Sequence, residues 1–104
     1  MEIHTENPEA PFNFDQKLQP LFDAMKAGKL IKSVTCFKGI ANENYPEKDF
    51  TIENFRATQY WHGIARSREG SPDFDYVDTD SFKMHNDGYR SVGFYMNMVK
   101  TFEI

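Results

Sequence analysis

The first amphipathic pattern in the chain lies between residues 14 and 25, where apolar residues recur at intervals of three and four. This spacing is typical of a helix with one face on a core. Asn13 can cap such a helix and Gly28 can end it. Because a proline inside a helix costs about 3 kcal/mol, Pro20 requires either a kink or a start near Gln19. We predict a helix over residues 20–27, with a helical turn over 13–19 as its possible extension.

Strand patterns follow the helix. Residues 30–37 are rich in β-branched side chains, with apolar residues on both faces, and predict a strand covered on both sides. Residues 39–49 contain Asn and Pro and predict a loop. Residues 50–64 fit either a short helix or a strand, and we predict a strand over 55–66.

The strongest local signal is Asn86–Asp87–Gly88, flanked by alternating apolar residues. Asp–Gly supplies the positive φ angles of a tight hairpin turn. Beyond it, alternate positions from Val92 to the last residue are apolar except at Lys100, and Gly93 is a candidate bulge. We predict a loop over 67–73, short strands over 74–77 and 81–85, and one long strand over 89–104.

These elements predict an α+β fold: one N-terminal amphipathic helix packed on a four- to five-stranded antiparallel sheet with a C-terminal β-hairpin. A chain of 104 residues has room for a single core. Residues 1–12 are polar, acidic and broken by two prolines, and we predict a flexible acidic tail there. The single α+β domain then spans residues 13–104.

Composition narrows the class of protein. The chain contains 10 Phe, 5 Tyr and 1 Trp, which indicates an aromatic core, and its net charge is −4. That charge argues against non-specific nucleic-acid binding. No apolar run is long enough for a membrane span or resembles a signal peptide, and one cysteine, Cys36, excludes an intrachain disulfide. We expect a cytoplasmic protein that binds no membrane.

No linear motif for catalysis or cofactor binding is present. The chain lacks the glycine-rich nucleotide motifs and the Gly-x-Ser-x-Gly elbow of hydrolases. Cys36 lies within an apolar strand pattern, which is typical of a buried, inert thiol. His4, His62 and His85 are too scattered to indicate a metal site. We therefore predict no cofactor, no metal and no enzymatic activity.

An acidic block occupies residues 69–87, where six acidic residues stand against Lys83 alone. Aspartates alternate with apolar residues there, which predicts carboxylates on a solvent face whose neutralisation leaves the fold intact. The block is either a solvated acidic edge or a surface that binds a basic partner. Its candidate binding residues are Asp73, Asp75, Asp78, Asp80 and Asp87.

A second cluster interleaves aromatic and basic side chains, as single-stranded nucleic acid requires for stacking and phosphate contact. The alternative is that its aromatic residues belong to the core and its arginines to the rim. Its residues are Arg56, Tyr60, Trp61, His62, Arg66 and Arg68.

The favoured hypothesis is a small non-enzymatic protein that acts by occupying a surface on another macromolecule, of the inhibitor, immunity or mobile-element counter-defence type. One alternative is a single-stranded nucleic-acid-binding module. Another is a small-ligand-binding oligomer with a cleft around Tyr60 and His62. A protein partner is thus expected. Because the apolar C-terminal strand exceeds what one short helix can cover, we also predict a homodimer through that strand.

Overall fold

The computed structural model describes residues 1–37, 49–64, 74–85 and 88–104. These residues form an α+β fold with one α-helix and seven strands, which confirms the predicted class. The predicted loop 39–49 except Asp49, the whole of the predicted loop 67–73, and Asn86 and Asp87 of the predicted hairpin turn lie outside the described residues. The elements are β1 (Glu2–Thr5), α1 (Gln19–Lys26), β2 (Ile31–Cys36), β3 (Phe50–Phe55), β4 (Ala57–Ile64), β5 (Phe74–His85), β6 (Gly88–Tyr95) and β7 (Val99–Glu103).

The helix begins where Pro20 can be accommodated. A 3₁₀ turn, Gln16–Leu18, precedes α1, and Pro20 then lies in the first turn of the helix, where its missing N–H costs nothing. The side chain of Asp15, rather than that of Asn13, caps the 3₁₀ turn by accepting from Lys17 N at 3.1 Å. Gly28 follows with φ of 77°, the predicted left-handed stop.

The strands form two sheets instead of one. The four-stranded sheet has the order β1-β4-β5-β6, and the three-stranded sheet has the order β3-β2-β7. All pairs are antiparallel except β1 with β4. Phe55 of β3 and Phe94 of β6 meet edge to face, with ring centroids 6.0 Å apart. The predicted single sheet is therefore divided, and side chains from both parts share one core.

The chain changes sheet at two corners, and both interrupt predicted strands. Between β3 and β4 it turns at Asn54, which has φ of 50°, and at Arg56, so the predicted strand 55–66 includes the last residue of β3, the corner and all of β4. Residues 65 and 66 lie outside the described part of the chain. Between β6 and β7 a 3₁₀ turn, Met96–Met98, interrupts the predicted strand 89–104. Long twisted strands change sheets through such bends. Phe50–Phe55, which the sequence left ambiguous, is a strand.

The predicted short strands 74–77 and 81–85 belong to one strand, β5. Its pairing with β6 shifts between Asp78 and Phe82, and Gly93, predicted as a bulge, pairs regularly with Asp78. The irregularity lies on β5, where Thr79 Oγ1 donates to the carbonyl of Val92 at 2.6 Å. The hairpin of β5 and β6 confirms the predicted turn position, since His85 pairs with Gly88.

The segment predicted as an acidic tail contains a strand. Glu2–Thr5 pairs in parallel with β4, from Glu2 opposite Gln59 to Thr5 opposite His62. An edge strand of four residues with a single apolar side chain, Ile3, has no local pattern that distinguishes it from a tail, so its pairing depends on the edge that β4 offers. The helix is consequently not the first element of the fold.

The core lies between α1 and the two sheets. Its largest fully buried side chains include Tyr60, Phe55, Phe94, Leu21 and Met25. In the part of the chain that the structure describes, no helix has the length and apolar character needed to cross a membrane. The four-stranded sheet has a second face, which points away from this core.

Candidate functional site

The acidic block and the aromatic–basic cluster prove to be partners of each other. Strands β4 and β5 run antiparallel and place a member of one group beside a member of the other. The side chains of Tyr60 and His62 contact Asp75, and that of Trp61 contacts Asp78. Arg56 contacts Asp80 through its backbone N–H and not through its guanidinium. Asp73, Asp87, Arg66 and Arg68 lie outside the described residues.

Asp75 is the centre of a buried cluster and is only 1% exposed. Its Oδ2 accepts from the Tyr60 hydroxyl at 2.9 Å and from Asn13 N at 3.0 Å. Its Oδ1 accepts from His62 Nδ1 at 2.9 Å and from Gly63 N at 3.2 Å. Four donors thus surround one carboxylate, which is what burial of a charge in a core requires.

His62 connects this carboxylate to the N-terminal segment. Its Nε2 lies 2.8 Å from the carbonyl oxygen of Ala10, and the ring of Phe12 stacks on it at 4.0 Å. Both ring nitrogens therefore face acceptors, and both can donate at once only when the imidazole carries two protons. In that form His62 makes an ion pair with Asp75, both of them buried. Neither nitrogen is open to a substrate in this arrangement.

Gly63 permits the close approach of the same segment. Its φ is 63°, and a Cβ there would lie 2.9 Å from the carbonyl oxygen of Asn7 and 3.2 Å from Cβ of Ala10. Any larger residue would push residues 7–10 away from β4. His62, Gly63 and Asp75 together fasten residues 7–13 to the four-stranded sheet.

The predicted exposure of the acidic block is wrong at Asp75, which is buried. Its burial among four donors argues against the expectation that neutralising the block leaves the fold intact. Period-two alternation places Asp75, Val77 and Thr79 on one face, and in the fold that face is buried. Burial also excludes Tyr60 from a surface site. It raises the pKa of the Tyr60 phenol far above its usual value, and the adjacent Asp75 carboxylate raises it further.

The opposite face of the four-stranded sheet, which we call the outer face, carries a row of rings. His4 of β1, Trp61 of β4, Tyr76 of β5 and Tyr95 of β6 occupy paired positions on neighbouring strands. His4 stacks on Trp61 at 4.3 Å, and Tyr76 meets Tyr95 edge to face at 5.0 Å. All four are half-buried.

Two contacts hold the row in place. Asp78 Oδ2 accepts from Trp61 Nε1 at 2.7 Å, so the only tryptophan of the chain is oriented by a carboxylate. The phenol of Tyr76 lies across Gly93, where a Cβ would collide with the ring. Gly93 is therefore required for the close approach of Tyr76 and not for a bulge.

The outer face continues onto the end of the hairpin, where Phe82, Met84 and Tyr89 form a hydrophobic tip. Their exposed fractions are 65%, 62% and 68%. Met84 pairs with Tyr89, and Phe82 lies two residues from Met84, so the three share one face. Lys83 and Arg90, which pair with each other, occupy the opposite face.

The sequence pattern did not indicate the hydrophobic tip as a site. The sequence pattern predicts Phe82 and Met84 only as apolar residues that flank the hairpin turn. In the structure the hairpin extends beyond the core, and both faces of its end are exposed at Phe82, Lys83, Met84, Tyr89 and Arg90. The signal for this site in the sequence was a hairpin end with apolar side chains on one face and basic side chains on the other.

Two further features bear on ligands. A cavity of about 330 Å³ lies between the N-terminal segment and the β6–β7 corner, with Phe12, Phe14, Phe37 and Met96 among its lining residues. Cys36 is fully buried, and its burial raises the pKa of the thiol to about 12. Among the residues described, no three His, Cys, Asp or Glu side chains are grouped so that they could hold a metal.

No family model, no curated protein and no solved structure matches this chain. Its function is therefore inferred from the side chains of the two faces alone.

Proposed function

We propose that the chain is a non-enzymatic protein-binding domain that acts by occupying a surface on another macromolecule through its outer face. The observation that carries this proposal is the hydrophobic tip, Phe82, Met84 and Tyr89, where three large side chains are each more than three-fifths exposed. Contiguous apolar surface of this kind on a small domain is typical of an interaction site. The aromatic row extends the same surface across all four strands.

The area of the tip indicates how much more surface a partner must contact. Three such side chains of roughly 200 Å² each, about two-thirds exposed, leave on the order of 400 Å². Two copies joined tip to tip would bury about 800 Å², below the roughly 1,200 Å² of a stable interface. A partner that also covers the row of His4, Trp61, Tyr76 and Tyr95 reaches the required area.

The state of His62 supports a role without catalysis. A general base needs an open nitrogen within hydrogen-bond reach of a substrate. His62 binds Asp75 through one nitrogen and Ala10 through the other, under the ring of Phe12. This cluster serves to attach the N-terminal segment, and the outer face is left for binding.

The test is a capture experiment from an extract of the native host with three forms of the full chain. The first is unmodified, the second carries Phe82→Ser, Met84→Ser and Tyr89→Ser, and the third carries Lys83→Gln and Arg90→Gln on the opposite face of the same hairpin. We expect a protein that the first and third forms retain and the second loses. Capture of the same proteins by all three would contradict the proposal. Loss of the captured material on nuclease treatment would favour the nucleic-acid alternative instead.

Self-association through the C-terminal strand is a separate proposal. Strand β7 lies at the edge of the three-stranded sheet, where an unpaired strand edge can accept a second copy. Light scattering across a dilution series tests it, and we expect the mass of a dimer at high micromolar concentration. A monomeric mass at that concentration would contradict it without affecting the proposal for the outer face.

A further inference from the structure

We infer that the outer face recognises a basic segment of its protein partner, with an Arg or Lys side chain placed over the aromatic row beside Asp78. This inference rests on the proposed function and specifies the chemistry of the partner. Three observations on the same face carry it: the charges, the rings and the position of one carboxylate.

The charges on this face have one sign. Among the described residues at its paired positions, Glu2 and Asp78 are acidic and no Lys or Arg occurs. The nearest cations on these strands, Lys83 and Arg90, belong to the opposite face of the hairpin. At these described positions a phosphate backbone would meet two carboxylates and neither Lys nor Arg, whereas a basic peptide meets complementary charge.

The rings supply the second element of recognition. Trp61 and Tyr76 are paired neighbours, and Tyr95 is the next ring along the row. A guanidinium or ammonium group within about 6 Å of such a ring is attracted by its π electrons, most strongly for Trp. Aromatic rings joined to acidic side chains select cations, while rings joined to basic side chains select nucleic acid.

Asp78 is placed to act on the same cation. One of its oxygens accepts from Trp61 Nε1, which holds the carboxylate at the edge of the indole ring. A cation against the part of Trp61 that the stacked His4 ring does not cover would therefore lie close to a carboxylate that is already positioned. Substitution by Asn keeps an acceptor for the indole N–H and removes only the charge, which makes Asp78→Asn a selective test.

Trp61 reports on the site, because it is the only tryptophan of the chain. The experiment follows its fluorescence while a hexa-arginine peptide is added to the full chain, with hexaglutamate and a ten-nucleotide oligo(dT) as comparisons. We expect saturable quenching by hexa-arginine alone, weakened by added salt. No change with hexa-arginine, or equal quenching by oligo(dT), would overturn the inference.

Matched variants distinguish recognition of hexa-arginine at the aromatic row from the general electrostatic attraction between an acidic protein and a cationic peptide. Asp78→Asn and Glu53→Gln each remove one negative charge, but Glu53 is an exposed residue of β3 in the other sheet. We expect Asp78→Asn to weaken hexa-arginine binding about three- to fivefold and Glu53→Gln to leave it nearly unchanged. Equal effects of the two variants would overturn the inference.

A second variant and a second readout complete the test. If Asp78→Asn perturbs the fold, Glu2→Gln takes its place, because the Glu2 side chain is 76% exposed on the same face. We expect it to weaken binding about twofold. The capture experiment gives the second readout. If the hydrophobic-tip variant fails to capture a protein that Asp78→Asn and Glu53→Gln capture equally well, the inference of a basic partner is overturned. The proposed function would then still stand.

Discussion

Strands β4 and β5 carry hydrogen-bonded pairs of an aromatic or histidine side chain and an aspartate on both of their faces, and the two faces differ in what surrounds them. On the inner face Tyr60 and His62 meet Asp75, and all three are buried. On the outer face Trp61 meets Asp78, and both are only half-buried. The same pairing of residue types thus attaches a segment of the chain on one face and, on the other, belongs to the surface that we propose binds a partner. The two aspartate pairs therefore differ in burial and not in residue type.

The largest effect is expected at the centre of the inner face. Asp75→Ala removes the acceptor of four donors, among them the buried Tyr60 hydroxyl and His62 Nδ1. Each buried donor left without a partner costs about 1–3 kcal/mol, so we expect the free energy of unfolding in urea to fall by about 3–5 kcal/mol.

The control for that variant is Asp80→Ala. Asp80 is exposed and its side chain accepts from the backbone N–H of Arg56 at 2.8 Å. We expect a loss of about 0.5–1.5 kcal/mol. Equal losses for the two variants would remove the distinction between the faces.

The next largest loss of stability is expected where residues 7–13 are attached to the four-stranded sheet. Gly63→Ala adds the strain of a positive φ, about 1–2 kcal/mol, to the collision with Asn7 and Ala10, about 1–3 kcal/mol. Gly28→Ala is the matched variant, since Gly28 also has a positive φ but no atom lies within 4 Å of its added Cβ. We expect urea denaturation to show a clearly larger loss for Gly63→Ala. Similar losses would mean that the N-terminal segment does not press on β4.

A moderate effect is expected at alkaline pH. Burial, and then Asp75, raises the pKa of Tyr60 in the folded protein. Above about pH 10 the unfolded chain loses this proton while the folded protein keeps it. The free energy of unfolding therefore falls by up to about 1.4 kcal/mol per pH unit from this group. The pH dependence measured by urea denaturation between pH 9 and 11 should be steeper for the unmodified chain than for Tyr60→Phe, and parallel curves would contradict the buried phenol.

The smallest effect is expected at the hydrophobic tip. Phe82→Ser and Met84→Ser should each change the free energy of unfolding by less than about 0.5 kcal/mol, because both side chains are mostly exposed. Phe94→Ala is the contrast on the same hairpin: its side chain is 1% exposed, and we expect a loss of about 3–5 kcal/mol. A loss above 2 kcal/mol for either serine variant would mean that the tip is part of the core.

Several elements could be predicted from the sequence because their signals are local. The position of Pro20 and the stop at Gly28 located the helix, a run of β-branched residues located β2, and Asp–Gly located the hairpin. Backbone sterics and turn chemistry act over a few residues and do not depend on the rest of the fold. The α+β class follows from these elements together.

What only the tertiary structure decided is which face of each strand is covered. Alternation along β5 showed that Asp75 and Asp78 lie on opposite faces, but it could not show that the inner face meets Tyr60 and the N-terminal segment. It likewise could not show that the end of the hairpin extends past the core at Phe82 and Met84. Side-chain period is set by the backbone of one strand, whereas burial is set by segments distant in sequence. For that reason the pairing of β1 with β4, the buried Asp75 cluster and the exposed outer face emerged only from the fold.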